Sequence, residues 1–329
     1  MKYPNSSLLS ATVVAGLLLS SGRSMAQTTI FDDTFGGSTL NTASGFNSST
    51  AGNYDVVSTK AMTAASISSG DLNLNIGASS GNGYQIQALF ASSPVTLTTV
   101  GDYIQLLVTF TDTGGVLATN GATLVAGMYK SGGVGPLTGG VSDETTSSND
   151  HATGGAQGWI GYAAQIATNH SYILTRSAQT SGTFNNNQDV LFGNGAGSVN
   201  SSTKGYASPN ATLLGNNNGS TFLTLGSQYT MALTYTLTGA NTLAIETSLY
   251  TGVGTGGAQK SDFTATDSSA SNESFDALAT GLYLNKNGLS TLDFNQIEVN
   301  DLIQQVPEPS VFALAGLGLI ALAQRLRRR

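Results

Sequence analysis

From Gln228 to Tyr250 apolar side chains stand at almost every second position. Tyr229, Met231, Leu233, Tyr235 and Leu237 mark one run, and Leu243, Ile245 and Leu249 mark another. A period of two places such residues on one face of an extended strand, whereas a helix would scatter them around its axis. Thr238-Gly239-Ala240-Asn241 separates the runs and supplies residues that accept the positive φ of a tight turn. The segment predicts a β-hairpin of well-fixed register, because a slip of one residue would turn every apolar side chain toward solvent.

The same habit recurs along the chain. Leu72, Leu74 and Ile76 alternate with Asn73 and Asn75, and further strands are expected at 103–110, 124–129, 159–166 and 172–175. A second hairpin is expected from 277–284 and 292–299 around Asn285-Lys286-Asn287-Gly288. Three stretches rich in Gly, Ser and Asn (131–158, 180–218 and 251–273) read as long surface loops, either plain connections or ligand-binding loops over a rigid sheet. The middle of the chain shows no amphipathic helix and no fixed repeat of the solenoid kind. Short strands with frequent turn signals predict an all-β, antiparallel sandwich or barrel filling residues 27–305 as one domain.

Composition excludes several function classes. Charged residues make up 9% of the chain, so its polar surface is mostly hydroxyl and amide. All but one of the 19 acidic residues lie between 27 and 305, against half of the 12 basic ones. A body this acidic has no basic patch to neutralise phosphates, so nucleic acid is excluded as a partner. The chain has no cysteine, which removes disulfides, thiolate chemistry and Cys-ligated zinc.

Both ends are apolar. Lys2, the apolar run 8–19 and the small residues Ser24 and Ala26 follow the order of a signal peptide over 1–26, cut by signal peptidase between Ala26 and Gln27. At the other end Val306-Pro307-Glu308-Pro309-Ser310 precedes an apolar run at 311–323, then Arg325, Arg327, Arg328 and Arg329. The prolines stop any preceding strand or helix. Thirteen residues make a helix of roughly 20 Å, short for a hydrocarbon core of about 30 Å, so spanning needs snorkelling arginines. The Arg cluster stays cytoplasmic under the positive-inside rule and acts as the membrane stop. The body is thereby expected outside the cytoplasmic membrane. The tail 306–329 resembles the PEP-CTERM sorting signal in the order and spacing of all three parts. The resemblance implies processing near Pro307-Glu308-Pro309 by an exosortase, transient anchoring by a transmembrane helix over 311–323, and delivery to the cell surface or beyond, a setting linked to exopolysaccharide.

The opening segment Ile30–Phe35 is expected to pair with the closing segment Asp293–Val299. Together with the long hairpin this resembles the concanavalin A-like lectin/glucanase sandwiches, of jelly-roll type, in which first and last strands lie side by side. A retaining glycosidase needs two carboxyls about 5–5.5 Å apart, and no Glu-x-Asp-x-(x)-Glu strand is present. Glu246 stands alone, Glu298 and Asp301 read as a solvated edge, and the adjacent pairs Asp32-Asp33 and Asp143-Glu144 point to opposite faces if extended. His151 and His170 fall in polar turns without a nucleophile elbow. Asp143, Glu144, Asn149 and Asp150 gather oxygens that could suit calcium, but without a repeat pattern an acidic loop is the plainer reading, and neither metal nor cofactor is assigned. Trp159, Tyr162 and Arg176 are the candidate ligand contacts, as an aromatic platform with an arginine; the competing reading makes Trp159 a core or edge aromatic and Arg176 a surface residue. The expected role is a non-enzymatic exported surface or matrix protein with weak polysaccharide binding. The alternatives are a secreted carbohydrate-active enzyme or a structural adhesin.

Overall fold

The computed structural model describes residues 27–37, 39–40, 45–58, 64–75, 83–115, 117, 122–136, 141–143, 155–167, 170–178, 190–191, 211–219, 223–284 and 291–303. The chain divides into two compact units, Gln27–Leu302 and a second formed by Met1–Ala26 with Ile303–Arg329. Every described strand belongs to the first unit. The expected signal helix and transmembrane helix lie outside the described residues.

In chain order the strands are β1 (Thr28–Asp33), β2 (Asp55–Ser58), β3 (Ala64–Ser68), β4 (Asp71–Asn75), β5 (Gly83–Leu89) and β6 (Val95–Thr96). Then come β7 (Tyr103–Thr111), β8 (Ala122–Lys130), β9 (Val141–Asp143), β10 (Ile160–Ala167), β11 (His170–Arg176) and β12 (Ala211–Asn217). The last are β13 (Gln228–Gly239), β14 (Thr242–Thr251), β15 (Gln259–Asp267), β16 (Ser274–Phe275), β17 (Ala277–Leu284) and β18 (Thr291–Leu302). Among the described residues the only helical turn is a 3-10 turn at Gly155–Gly158.

The strands form two large sheets. The first runs β15-β14-β13-β7-β18-β4-β3, with β1 also on β18; the second runs β12-β11-β10-β8-β17-β5-β2-β9. Pairing is antiparallel throughout except between β2 and β9. β6 and β16 make a separate two-stranded ladder. The all-β antiparallel sandwich expected from the sequence is the observed architecture.

The alternating residues of the long hairpin fill the space between the sheets. Met231, Leu233, Tyr235, Leu243 and Ile245 are fully buried. They meet the second sheet, where Tyr235 and Tyr162 stack edge-to-face with ring centres 5.4 Å apart. Register runs Tyr235↔Ile245 and Leu237↔Leu243, and the chain reverses at Ala240-Asn241 with Asn241 at φ 53°. That left-handed angle is tolerated by Asn. β1 joins β18 through Phe31↔Val299 and Asp33↔Ile297, as the end-to-end pairing predicted.

Several sequence expectations need correction. The 277–284 and 292–299 segments are not a hairpin: β17 lies between β5 and β8 in the second sheet, whereas β18 lies in the first. Alternation shows which face of a strand is apolar, but in a sandwich both sheets offer an inward face. The 251–273 stretch is not all loop, because β15 pairs along β14 with Phe263 and Ala265 inward between the exposed Lys260, Asp262 and Thr264. The 180–218 stretch contains β12, and 131–158 contains β9 and the 3-10 turn. These are edge or short strands, which need few apolar side chains and so leave a weak pattern. Nor is β18 a solvated edge at Glu298. It is flanked by β7 on one side and by β1 and β4 on the other.

Candidate functional site

The outward face of a sandwich sheet is where a ligand can be gripped, and the two sheets differ sharply there. On the first sheet it is polar and bonded to itself. Asn295 Nδ2 donates to Asp71 Oδ1 at 2.7 Å, and Thr111 Oγ1 donates to Asn295 Oδ1 at 3.0 Å. Asn73 Nδ2 donates to Asp293 at 3.0 Å, Gln296 Nε2 to Asp32 at 2.6 Å, and Asn300 Nδ2 to Glu298 at 2.6 Å. Each of these carboxylates is thus held by a neighbouring amide. Burial is the main cause that raises the Asp293 pKa, with Asp71 adding to it. Glu246 is exposed on β14 and accepts a bond from Ser248 Oγ at 2.9 Å.

On the second sheet the outward face is itself a buried core. Register places Gln165, Val125, Gly281 and Gln85 in one row across β10, β8, β17 and β5. The next row carries Ala163, Gly127, Ala279 and Gln87, with Asp55 beyond on β2. Ala156, Trp159, Val190 and Leu191 pack onto this face with Tyr129, Tyr172 and Leu174 as one cluster. The cover is pinned by its backbone: Tyr129 Oη donates to Val190 O at 3.2 Å, and Val190 N donates to Gln85 Oε1 at 3.3 Å.

Unmet hydrogen-bonding capacity lies in the same two rows. Gln165 is fully buried, and neither its amide nitrogen nor its oxygen has a hydrogen-bond partner. Asp55 Oδ2 also has none. Burial pushes the Asp55 carboxyl up to about 6, against a lowering contribution from the Val56 amide. Buried polar groups left unpaired are costly, so they mark the least conventional part of the sandwich.

The expected aromatic platform is not a surface feature. Trp159 is fully buried, its Nε1 donates to Val134 O at 2.8 Å, and its ring lies 6.0 Å from that of Tyr129. Arg176, also buried, donates through Nη1 to the Trp159 carbonyl, so it is not the surface residue of the competing reading either. Tyr162 faces the opposite side of the sheet, toward Tyr235, and its hydroxyl donates to Asp267 Oδ2 at 2.9 Å. Burial first, then Asp267, raises its pKa. Neighbouring strand positions alternate sides, so Tyr162 cannot share a platform with Trp159 and Arg176.

Asp32 and Asp33 do point to opposite faces. Asp32 meets Gln296 outside, while buried Asp33 binds the 35–54 segment inside. His151, Glu144, Asn149 and Asp150, and the side chains of His170 and Asp143, lie outside the described residues. Among the described residues no group of three or more His, Cys, Asp or Glu could hold a metal ion, and no helix is long and apolar enough to cross a membrane. Residues 306–310 and the terminal arginines, like Ala26, also lie outside the described part; Gln27 is exposed at its start.

Comparison decides the C-terminal tail. Residues 305–329 match the PEP-CTERM protein-sorting motif. The tail is a PEP-CTERM sorting signal. The motif marks an exported protein handled at the membrane by an exosortase, and the Pro-Glu-Pro segment, apolar run and arginines read from the sequence all fall inside it. No curated protein matches the chain. Solved structures similar to the body include an endo-1,3-β-glucanase from Streptomyces sioyaensis (13% identity, 84% of this chain and 97% of that one, TM-score 0.44). The VIP36 exoplasmic/lumenal domain in its Ca2+/Man3GlcNAc-bound form is 12% identical over 78% of this chain and 85% of that one, with TM-score 0.39. Lectin I-B4 from Griffonia simplicifolia is 13% identical over 75% and 92%, with TM-score 0.32. These neighbours are concanavalin A-like lectins and glucanases, and similarity at this level transfers no site residue to the chain carrying the sorting motif.

Proposed function

We propose that the protein is a non-enzymatic surface or matrix component, delivered through its C-terminal sorting motif and lodged in extracellular polysaccharide. The observation that carries this reading is the match of residues 305–329 to the sorting motif. Signal peptidase would release the body at Ala26–Gln27, and the exosortase would process the tail near Pro307-Glu308-Pro309. The arginines at 325 and 327–329 would hold the tail in the membrane until then.

The polysaccharide part draws support from surface chemistry. The first sheet presents hydroxyl, amide and carboxylate groups in rows, the functional groups that hydrogen-bond sugar hydroxyls. These groups already bond one another, so sugar contacts would be weak exchanges rather than a deep site. Trp159 and Arg176 could contact a ligand only if the cover at Ala156–Trp159 and Val190–Leu191 moved aside, and Tyr162, which faces Tyr235 between the sheets, would stay out of reach even then. An enzymatic role has less support: Asp55 is the one carboxylate that the described strands place on the outward face of the second sheet, and Asp71, Asp293, Asp32 and Glu298 on the first sheet are each tied to a neighbouring amide. A two-carboxylate mechanism needs a partner at about 5–5.5 Å.

The test is replacement of Pro307, Glu308 and Pro309 together by alanine in the native host. Loss of tail processing and of surface delivery is expected; unchanged processing would sink the sorting reading. Glycan-array binding by the 27–305 body tests the polysaccharide part separately.

A further inference from the structure

One row of polar side chains crosses six strands of the first sheet without a break. Register sets Thr264, Glu246, Thr234, Gln105, Asn300 and Thr29 opposite one another on β15, β14, β13, β7, β18 and β1. Their strand neighbours Ile245, Tyr235, Ile104 and Val299 are fully buried in the core, so the alternation of a strand turns the row outward. Thr264, Glu246 and Thr29 are exposed, Thr234 and Gln105 are half-buried, and Asn300 is buried. Neighbouring strands stand about 4.8 Å apart, which makes the row about 24 Å long.

Every member of the row can hydrogen-bond, and bonds within the sheet use only part of that capacity. Gln105 Nε2 donates to Thr234 Oγ1 at 3.0 Å, Ser248 Oγ donates to Glu246 Oε1 at 2.9 Å, and Thr29 Oγ1 donates to Asn300 Oδ1 at 2.7 Å. The second Glu246 oxygen, the Gln105 oxygen and the Thr264 hydroxyl take part in none of these. The next row carries Thr266, Ala244, Thr236 and Tyr103 in the same register, all exposed or half-buried. No register shift falls between the two rows on β7, β13, β14 and β15. A line of hydrogen-bonding groups therefore runs beside a line of methyl and ring surface. A sugar chain has the same division, with hydroxyls along its edges and C–H groups on its ring faces.

Charge narrows the class of sugar chain. Glu246 is the one charged member of the two rows, and Asp262 and Glu298 flank them in the row on the other side. Neither row holds a lysine or arginine. A chain of uronic acids would meet like charge along this face and be repelled, whereas an uncharged chain would not.

We propose that this double row is the binding face for an uncharged linear polysaccharide lying across the strands. Thr264, Glu246, Thr234 and Gln105 hydrogen-bond its hydroxyls, and Ala244 and Tyr103 meet its C–H surfaces. The proposal rests on the polysaccharide reading above and adds to it the face, the direction of the chain and its charge class.

The experiment expresses the full chain in its native host, purifies the protein and runs it by affinity electrophoresis in native gels. The gels hold a soluble β-1,4-glucan, a soluble β-1,3-glucan or, as the anionic probe, a polyuronate. The variants are Glu246→Ala and Thr264→Ala, singly and together, both at exposed positions. Asn73→Ala, on the same sheet face but outside both rows, serves as control, and melting temperatures report folding. The parent is expected to be retarded by at least one glucan and not by the polyuronate, with retardation unchanged by added salt, since screening does not act on an uncharged ligand. Each single variant is expected to weaken binding about three-fold and the double variant about ten-fold, with Asn73→Ala binding as the parent does. A folded double variant that binds within two-fold of the parent would overturn the proposal and leave the polysaccharide reading standing. An equal loss in Asn73→Ala, or tighter binding to the polyuronate than to either glucan, would overturn it too. Should the double variant melt early, the single variants decide by the same comparison. A parent retarded by neither glucan would break the polysaccharide reading and this proposal together.

Discussion

The Tyr235 hydroxyl stands between Met128 N and Tyr162 O, two backbone groups of facing strands. It accepts from Met128 N at 3.0 Å and donates to Tyr162 O at 2.5 Å. Met128 and Tyr162 are register partners on β8 and β10, so a side chain of the first sheet enters the ladder of the second. Tyr235→Phe would leave both backbone groups unpaired in a buried place. A loss of about 2 kcal/mol is expected, seen as a melting temperature lower by roughly 4–8 °C for a body of this size. A variant that melts with the parent would show that the ladder closes without the hydroxyl.

Asp33 organises the segment after β1. Its carboxylate accepts from Phe35 N at 2.8 Å, Gly52 N at 2.7 Å and Tyr54 Oη at 3.0 Å, all buried. Burial and then the Asp33 charge push the Tyr54 pKa up. Asp33→Ala strands three donors and is expected to cost about 3 kcal/mol or more, measurable by denaturant unfolding. Gly52→Ala is expected to destabilise as well, because an added Cβ would lie 2.4 Å from the Tyr54 ring.

Asp55 predicts the sign of a pH effect. Its carboxyl is raised to about 6, above its unfolded value near 3.9, so between these values the folded state holds more protons than the unfolded one. Stability therefore falls as pH rises through this window, and the penalty is complete above it. A shift of this size corresponds to about 3 kcal/mol at most. Asp55→Asn is expected to flatten the dependence between pH 4 and 6 and to be more stable than the parent at pH 7. Parallel pH curves for the two proteins would contradict this.

Catalysis is expected to be absent. The purified body should release no reducing sugar from a panel of β-glucans, including β-1,3-glucan. Turnover abolished by substitution of one carboxylate would reverse the assignment.

How much of the fold was legible in the sequence depended on how each strand is buried. The β13–β14 hairpin could be read because one face is apolar throughout and Asn241 marks its turn. The pairing of the opening segment Ile30–Phe35 with the closing segment Asp293–Val299 was legible too, although its register, with Phe31 on Val299, was not. The partition of β17 and β18 between sheets was not, since Leu282 and Leu292 are equally buried wherever their strands sit. β15 was lost in a polar stretch because Phe263 and Ala265 are too few to set a period. Of the two readings the sequence left open for Trp159, the core aromatic is the one its burial fits, whereas Arg176 was read as solvent-facing in both because the sequence gives no sign of the third layer. That layer is built by Val190 and Leu191, two apolar residues inside a long run of Asn, Gly and Ser. The sorting motif was legible in full, since its meaning lies in linear order and not in folding.

Because β1 and β18 lie side by side, the body is nearly a closed loop of chain. Residues 27 and 303 could be joined by a few glycines and the sandwich reopened between Ala240 and Asn241, giving a circularly permuted domain with the same ladders. Such a molecule would keep every strand yet carry its free ends at another turn, so anything fused to it would leave the sandwich from a different place.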